Sequence, residues 1–169
     1  MKLTAQEEYG LRCLLQLARR GEGGSLTIPE ISRAEGISGP YVAKLMRILR
    51  RGRFVKSVRG QAGGYMLARP ADQISVGEVL AALGGRLYEP DFCDRHTGVE
   101  KTCNHSSDCA VRSLWSAIQR AVDQVAGQVK LKDLISDERP AAIRVSSPVK
   151  LMAARVEPAE GCAGSSEAV

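Results

Sequence analysis

The chain has 169 residues, five of them cysteine, and a formal net charge of +5 at pH 7. This length allows one compact domain with additions but not a second large core. The odd cysteine count argues against a disulfide framework, and the lack of a signal-peptide pattern or a long apolar stretch argues against export and a membrane partner, so we expect a cytoplasmic protein.

The charge is distributed unevenly along the chain. Residues 1–70 carry thirteen Lys or Arg against five Asp or Glu, whereas residues 71–169 carry eleven against fourteen. No acidic residue lies between Glu35 and Asp72. Positive charge gathered at one end is expected of a protein that binds the DNA phosphate backbone, although a solvated helix face can carry the same charge.

Three helices are predicted in the first fifty residues. An amphipathic helix over 6–20 ends at a glycine-rich run, and a second helix begins at Thr27 with a capping box. Gly36 ends the second helix, and Ser38 begins a longer one over 40–51 with its apolar positions on one side. Helix, glycine-containing turn and helix form the pattern of a helix-turn-helix, whose second helix enters the DNA major groove.

The polar face of that second helix supplies the first candidate DNA contacts. Tyr41, Lys44 and Arg47 lie off the apolar stripe, so we expect them to face DNA, and we expect Ser38 to help seat the helix. The alternative is an ordinary helical hairpin whose basic face touches only water.

A β-hairpin is predicted directly after this helix. Two short strands over 54–58 and 65–67 flank a glycine-rich turn. A hairpin at this place is a wing, and Arg59 and Gln61 at its tip are candidates for contacts to the minor groove or the phosphates. The turn lacks the Gly-Lys-Ser/Thr ending of a nucleotide-binding loop, which argues against a phosphate cradle.

The second half of the chain predicts a helix over 75–83, a polar loop over 84–107, a long helix over 107–130 and a short helix over 131–135. Apolar residues of the long helix recur at three- and four-residue steps, a pattern that requires a partner helix. This stripe can pack on the DNA-binding part, and we expect it also to pack on its copy in a second subunit. The composition after residue 136 predicts a disordered tail.

Three cysteines lie within seventeen residues, at Cys93, Cys103 and Cys109. Their spacing lacks the close pairs of zinc sites, and wide spacing on a loop suits an iron–sulfur cluster better. A cluster normally takes four ligands, and the candidates for the fourth are His96, His105 and the remote Glu8. The alternatives are inert buried thiols, a cluster-free thiol switch and a structural zinc site. Cys13 falls in an apolar helix and is expected in the core.

Several segments together carry a family resemblance. They are the opening MKLT, the segment ISRAEGISGPYVAKLMRILRRGRFVKSVRG, then GGYML, ISVGEVLAAL, the three cysteines and the Leu114-Trp115 helix. Over about residues 1–136 the chain resembles the winged-helix iron–sulfur regulators of the IscR-like and NsrR-like family. The resemblance implies dimers that bind promoter DNA and respond to iron–sulfur status, nitric oxide, oxygen or redox change.

The same resemblance implies a ligand set. The three loop cysteines match the family's ligands to a [2Fe-2S] or [4Fe-4S] cluster. IscR-like members have a histidine three residues after the last cysteine, but this chain has Arg112 there. Nitric-oxide-sensing members draw a carboxylate from the first helix, where Glu8 lies. We therefore expect Glu8 of the partner subunit as the fourth ligand, with His105 as the alternative.

The expected fold is mainly α with a small β wing: a winged helix-turn-helix DNA-binding domain over 1–70, a cluster loop and long dimerisation helix over 71–136, and a disordered tail over 137–169. The expected function is that of a homodimeric transcription regulator, a repressor, whose binding to double-stranded promoter DNA is controlled by an iron–sulfur cluster. The rivals are a cluster-free thiol-switch regulator and a small iron–sulfur redox protein. The lack of a C-x-x-C pair and the basic helix–wing segment argue against the redox protein.

Overall fold

A computed structural model describes residues 3–60, 63–96 and 109–135. Within these ranges the chain forms six α-helices, an antiparallel pair of strands and two 3₁₀ turns, Ala71–Gln73 and Leu131–Leu134. The helices are α1 (Ala5–Arg19), α2 (Ile28–Glu35), α3 (Gly39–Arg51), α4 (Val76–Gly84), α5 (Phe92–Arg95) and α6 (Ala110–Gln128), and the strands are β1 (Val55–Val58) and β2 (Gly64–Leu67). The predicted mainly α fold with a small β wing is confirmed.

Capping boxes fix the starts of α1, α2 and α4. The capping residues are Thr4, Thr27 and Ser75. In each box the cap hydroxyl accepts a backbone N–H from a glutamate three residues on, and that glutamate's carboxylate accepts the N–H of the capping residue. These bonds satisfy donors that a helix start leaves unpaired, and so they set the first turn of each helix.

The core lies where α1, α3 and α4 pack together. It is made of leucine, valine and other apolar side chains that are almost fully removed from solvent, among them Leu14, Leu17, Leu45, Leu49 and Val79. The chain that follows α6 returns to this core, because Leu131 is also fully buried in it. Backbone bonds hold that return in place: the N–H of Leu131 donates to the Ile74 carbonyl oxygen, and that of Val76 to the Val129 carbonyl oxygen, both at 2.9 Å.

The wing is joined to the segment before α2. Strands β1 and β2 pair from Val55 opposite Leu67 to Val58 opposite Gly64. Leu26 then pairs with Tyr65 from the other side, with N–O distances of 2.9 and 2.8 Å. This isolated bridge was not predicted, because a single paired residue leaves no alternating pattern in the sequence. It ties the wing to the start of the helix-turn-helix.

Helix α6 is covered at one end and open at the other. Near its C-terminal end it packs on α4, where the backbone is so close that a Cβ on Gly77 would lie 3.2 Å from the Ala126 carbonyl carbon. At its N-terminal end the side chains of Val111, Leu114 and Trp115 remain 60%, 56% and 41% exposed. The predicted apolar stripe is therefore only partly buried within one chain.

The structure corrects the prediction of a loop over 84–107 at one point. The single helical turn α5, Phe92–Arg95, lies inside it and contains Cys93. A four-residue turn is too short to produce helical periodicity in the sequence. The prediction of a disordered tail over 137–169 and the candidates Gln61, Cys103 and His105 lie outside the described residues. No helix in the described ranges is both long and apolar enough to span a bilayer.

Candidate DNA interface and cysteine site

The turn between α2 and α3 presents the start of the recognition helix. Gly36 ends α2 in a left-handed conformation with φ 65°, which glycine adopts without strain. The N–H of Ile37 donates to the Ser32 carbonyl oxygen at 3.2 Å, and the Ser32 hydroxyl donates to the Ile37 carbonyl oxygen at 2.5 Å. The turn is thus closed by hydrogen bonds and holds the two helices of the helix-turn-helix in a fixed relation.

Ser38 differs from the other capping residues. It precedes α3 with extended backbone, but its side chain makes no capping hydrogen bond, and it is exposed. The start of α3 thus has no side-chain cap, unlike the starts of α1, α2 and α4. Lys44 and Arg47 are exposed on the same helix, as predicted from the pattern of its apolar positions.

Tyr41 is half-buried because it packs on α1. Its ring meets the ring of Tyr9 edge to face, with centroids 6.2 Å apart and planes at 80°. The guanidinium of Arg12 lies 5.4 Å from the centre of the Tyr9 ring and donates from Nε to the Glu35 carboxylate at 2.6 Å. Glu35 is almost fully buried and also accepts from Gln16 at 2.6 Å. Helix α1 therefore braces both helices of the DNA-binding motif.

The wing presents one further predicted contact. Arg59 is exposed immediately after β1, at the tip of the hairpin. The N–H of Gly63 donates to the Gly60 carbonyl oxygen at 2.9 Å, and Gly60 has φ 105°, a conformation that favours glycine. Gln61, the other candidate at the tip, stays a prediction.

Two of the three loop cysteines belong to one polar cluster. Cys93 lies on α5, and its sulfur is hydrogen-bonded to the Tyr88 hydroxyl at 3.3 Å. Cys109 is the capping residue of α6, and its sulfur accepts the N–H of Arg112, also at 3.3 Å. The Arg112 side chain donates to Cys93 in turn. Arg112 thus interacts with both thiols, one through its backbone and one through its guanidinium.

Electrostatics within this cluster favour the thiolate. The Tyr88 hydroxyl and then the Arg112 guanidinium lower the pKa of Cys93 from its ordinary value, because both donate hydrogen bonds to the anion. The same bond to Cys93 raises the pKa of Tyr88 and that of Arg112. Thiolates are the form of cysteine that binds metals and reacts with oxidants.

Glu8 lies elsewhere in the protomer. It is exposed on α1, and its Oε1 is 3.9 Å from Nη1 of Arg12. Within the described ranges no group of three or more His, Cys, Asp or Glu side chains comes together as a metal site. Of the predicted ligands, Cys93 and Cys109 lie in one cluster, and Cys103 and His105 lie outside the described ranges. Glu8 does not approach Cys93 or Cys109 within one chain. His96, the other local candidate, is exposed and stacks on Phe92.

The comparison with known protein families decides the assignment. Residues 3–137 match the family described as Rrf2, iron-dependent transcriptional regulator. The chain belongs to the Rrf2 family. It is therefore a DNA-binding transcriptional regulator and not an enzyme, as the helix-turn-helix and wing predicted.

Three proteins illustrate what the chain is similar to. Protein rrf2 of Nitratidesulfovibrio vulgaris is 35% identical over 137 residues, which cover 81% of this chain and 89% of that protein. The structure of T. potens IscR matches with a TM-score of 0.64 and 27% identity, covering 84% of this chain and 91% of that one. CymR, the global cysteine regulator of B. subtilis, matches with a TM-score of 0.63 and 29% identity, covering 80% and 97%.

Within this Rrf2 protein, Cys13 is separate from the cysteine cluster. It is fully buried in the core, as predicted, and burial raises the pKa of its thiol to about 12. The residues that sequence reasoning missed are those that support others: Tyr88 beside Cys93, and Glu35 beneath Arg12. Nothing local in the sequence identifies either residue, because Glu35 lies on a largely polar helix and is buried by its contacts with α1.

Proposed function

We propose that this chain is a homodimeric repressor whose binding to promoter DNA is controlled by an iron–sulfur cluster. The observation that carries the proposal is the clustering of Cys93 and Cys109 around Arg112, with the pKa of Cys93 lowered toward the thiolate. Two soft sulfur donors, one of them capping a long helix, fit an iron–sulfur cluster. Its promoter target puts the protein in the cytoplasm.

In this proposal, Cys93, Cys103 and Cys109 hold the cluster, and Glu8 of the partner subunit supplies the fourth ligand. His105 is the alternative fourth ligand. The cluster, [2Fe-2S] or [4Fe-4S], supplies when bound a centre that reacts with nitric oxide, oxygen or changes in redox and iron–sulfur status. The positive Arg112 supports the site, because it offsets the negative charge of sulfur ligands.

The apolar face of α6 supports the homodimer. Val111, Leu114 and Trp115 occupy one side of the helix at three- and four-residue steps and are exposed in the single chain. Large apolar side chains that lie exposed next to one another are typical of a protein interface. Two copies packed through this face would set two recognition helices about 34–36 Å apart, one turn of the DNA helix.

Contacts to DNA come from the recognition helix and the wing. Lys44, Arg47 and Arg59 are exposed cations without an ion-pair partner among the described residues. We assign them to phosphates and base edges. Ser38 and Tyr41 seat the N-terminal half of the recognition helix, and Gln61 is assigned to the wing tip beside Arg59.

Helix α1 offers a physical route from the cluster to DNA. Glu8 is within 3.9 Å of Arg12, and Arg12 holds the buried Glu35 at the end of α2. When Glu8 is drawn to the partner's cysteine loop, the helix that braces the helix-turn-helix is held to the other subunit. A coupling of about 1–3 kcal/mol between the two sites changes DNA affinity by roughly 5–150-fold.

The test is anaerobic purification followed by visible spectroscopy and by iron and sulfide quantification. We expect coloured wild-type protein, loss of colour in Glu8→Ala, and full retention in His105→Ala if Glu8 is the fourth ligand. Gel shifts with a target promoter should show binding by the cluster-loaded form and release after nitric oxide or oxygen. Iron-free anaerobic protein that binds its operator normally would exclude cluster control.

A thiol-switch regulator without iron is the second candidate. The lowered pKa of Cys93 favours it, because a thiolate reacts readily with peroxide. The B. subtilis global cysteine regulator is among the similar structures. Colourless protein that loses DNA on peroxide treatment and recovers it with dithiothreitol would support this candidate over the cluster.

A further inference from the structure

The start of the cysteine loop is fastened to α6 through a buried amide. Gln119 is 6% exposed and is the buried side chain of α6, a helix described over its full length. Its Oε1 accepts the backbone N–H of Tyr88 at 2.9 Å, and its Nε2 donates to the Asp123 carboxylate at 2.8 Å. Buried polar groups are kept where they make hydrogen bonds, because an unpaired one is costly. Gln119 is therefore committed to holding the Tyr88 backbone.

Asp123 provides a second attachment for the same segment. Its Oδ1 accepts from Gln119, and its Oδ2 pairs with the guanidinium of Arg86. Arg86 and Tyr88 are two residues apart, so both ends of this short stretch are held against one side of α6. The attachment lies on the helix whose first residue follows Cys109.

Tyr88 in turn contacts Cys93 and the neighbouring Phe92. Its hydroxyl lies 3.3 Å from the Cys93 sulfur, and its ring packs on Phe92 with centroids 5.6 Å apart. Since Phe92 precedes Cys93 on α5, the ring contact and the hydroxyl bond together fix the direction of the Cys93 side chain. Two bonds in series therefore connect Gln119 to the sulfur, one to the Tyr88 backbone and one from its hydroxyl.

We propose that Gln119 and Tyr88 are positioning residues for Cys93, with Gln119 holding the Tyr88 backbone and the Tyr88 hydroxyl donating to the Cys93 sulfur. The inference rests on the proposed function, because it gives Tyr88 a role beside a cluster ligand. Hydrogen bonds to a ligating sulfur raise the reduction potential of an iron–sulfur centre and help to retain it. The Tyr88 hydroxyl is therefore assigned two roles: it orients the Cys93 side chain, and it raises the reduction potential of a cluster bound there.

The test compares Tyr88→Phe, which removes only the hydroxyl, with Gln119→Leu and with the double variant. Gln124→Leu is the matched control, because Gln124 is an exposed amide on the same helix. We expect Tyr88→Phe to lower the reduction potential of the cluster and to speed its loss to a chelator about 10-fold. Gln119→Leu should act in the same direction, and the double variant should be no worse than the stronger single one, because both changes break the same series of contacts.

Hydrogen exchange of the cluster-free protein tests the attachment separately. We expect Gln119→Leu to raise the exchange rate of the Tyr88 amide at least 10-fold, and Gln124→Leu to leave it unchanged. Wild-type potential and cluster retention in Tyr88→Phe, or a Tyr88 amide still protected in Gln119→Leu, would overturn the inference. Wild-type protein that never holds a cluster would contradict the proposed function instead, and the exchange experiment would still decide whether Gln119 holds Tyr88.

Discussion

Single side chains in this protein fall into two groups with different neighbours. Lys44, Arg47 and Arg59 extend into solvent, where charge is available to a polyanion. Glu35 is buried and takes two hydrogen bonds of 2.6 Å, from Arg12 and Gln16. The first group can be altered with little effect on folding, whereas the second cannot, because truncation of a partner leaves a buried carboxylate unsatisfied.

Replacement of the exposed cations should therefore weaken DNA binding without unfolding the protein. We expect Arg47→Ala and Arg59→Ala each to reduce affinity for a target promoter about 10-fold and to lower the slope of log affinity against log salt by about one per lost phosphate contact. Arg120→Ala is the matched control, since Arg120 is exposed on α6. Fluorescence anisotropy over a salt series gives both quantities, and unchanged slopes in Arg47→Ala and Arg59→Ala would exclude phosphate contacts.

The Cys93 thiol should ionise at lower pH than an ordinary cysteine in the cluster-free protein. Hydrogen bonds from Tyr88 and Arg112 lower its pKa, so its reactive thiolate persists as pH falls. We expect its alkylation rate, followed by site-resolved mass spectrometry, to rise at a lower pH than that of a cysteine peptide. Arg112→Ala should move this rise to higher pH. Cys13, with its pKa raised to about 12, provides the unreactive comparison within the same chain.

The wing depends on particular backbone conformations at its two ends. Helix α3 ends at Arg51, and Arg53 has φ 60°, a conformation that is uncommon outside glycine. The N–H of Phe54 donates back to the Leu49 carbonyl oxygen at 3.0 Å, so the chain reverses directly into β1. At the start of β2, Gly64 lies close to Leu26, the residue that forms the bridge to Tyr65. The position of Arg59 thus depends on two backbone features: the chain reversal at Arg53 and the close approach of Gly64 to Leu26.

Gly64→Ala should destabilise the wing. Gly64 has φ 153°, and a Cβ there would overlap the Leu26 carbonyl oxygen, which is backbone and cannot move aside. We expect a loss of about 1–3 kcal/mol in the free energy of unfolding, measured with urea, and weaker DNA binding. Gly39→Ala is the control, because a Cβ at Gly39 would meet nothing nearer than an Ile28 methyl group at 3.8 Å. Equal free energies of unfolding for Gly64→Ala and Gly39→Ala would contradict the close approach of Gly64 to the Leu26 backbone.

Elements with local chemistry could be predicted, and those formed by distant contacts could not. The box at Thr27 and the glycine at Gly36 define α2 from a few adjacent residues, and the structure confirms both. Helix α5 and the Leu26 bridge have no such signal, because one is a single turn and the other needs a partner thirty-nine residues away. The same holds for the candidate site: Cys93 was evident from composition, while Tyr88 and Gln119 became visible only in three dimensions.

Over the described residues, the N-terminal half of α6 leaves large apolar side chains open to solvent. Val111, Leu114 and Trp115 are between 41% and 60% exposed on the end of α6 nearest the cysteine cluster. A second copy packed here would bring two cysteine clusters and two recognition helices into one assembly. In the proposed homodimer, the contact between subunits would thus lie beside the cysteine cluster.

Leu114→Glu should break the proposed homodimer. A charge placed on this face must be desolvated when the two copies meet, so we expect the dimer dissociation constant to rise about 10- to 100-fold. Sedimentation velocity gives the change, and DNA affinity should fall with it. Gln124→Glu places the same charge at a polar, exposed position of α6 and should remain dimeric. A Leu114→Glu protein that stays fully dimeric would show that another surface joins the subunits.

The return of the chain after α6 has an evolutionary consequence. Leu131 is fully buried beside Ile74, and the stretch that contains it is hydrogen-bonded to the backbone before α4. The core beneath the helix-turn-helix and wing is thus completed by Leu131, which is encoded downstream of Cys93 and Cys109. We therefore expect a crossover between Cys109 and Leu131 to destabilise the recombinant protein, because residues from two different relatives would then have to pack in one core.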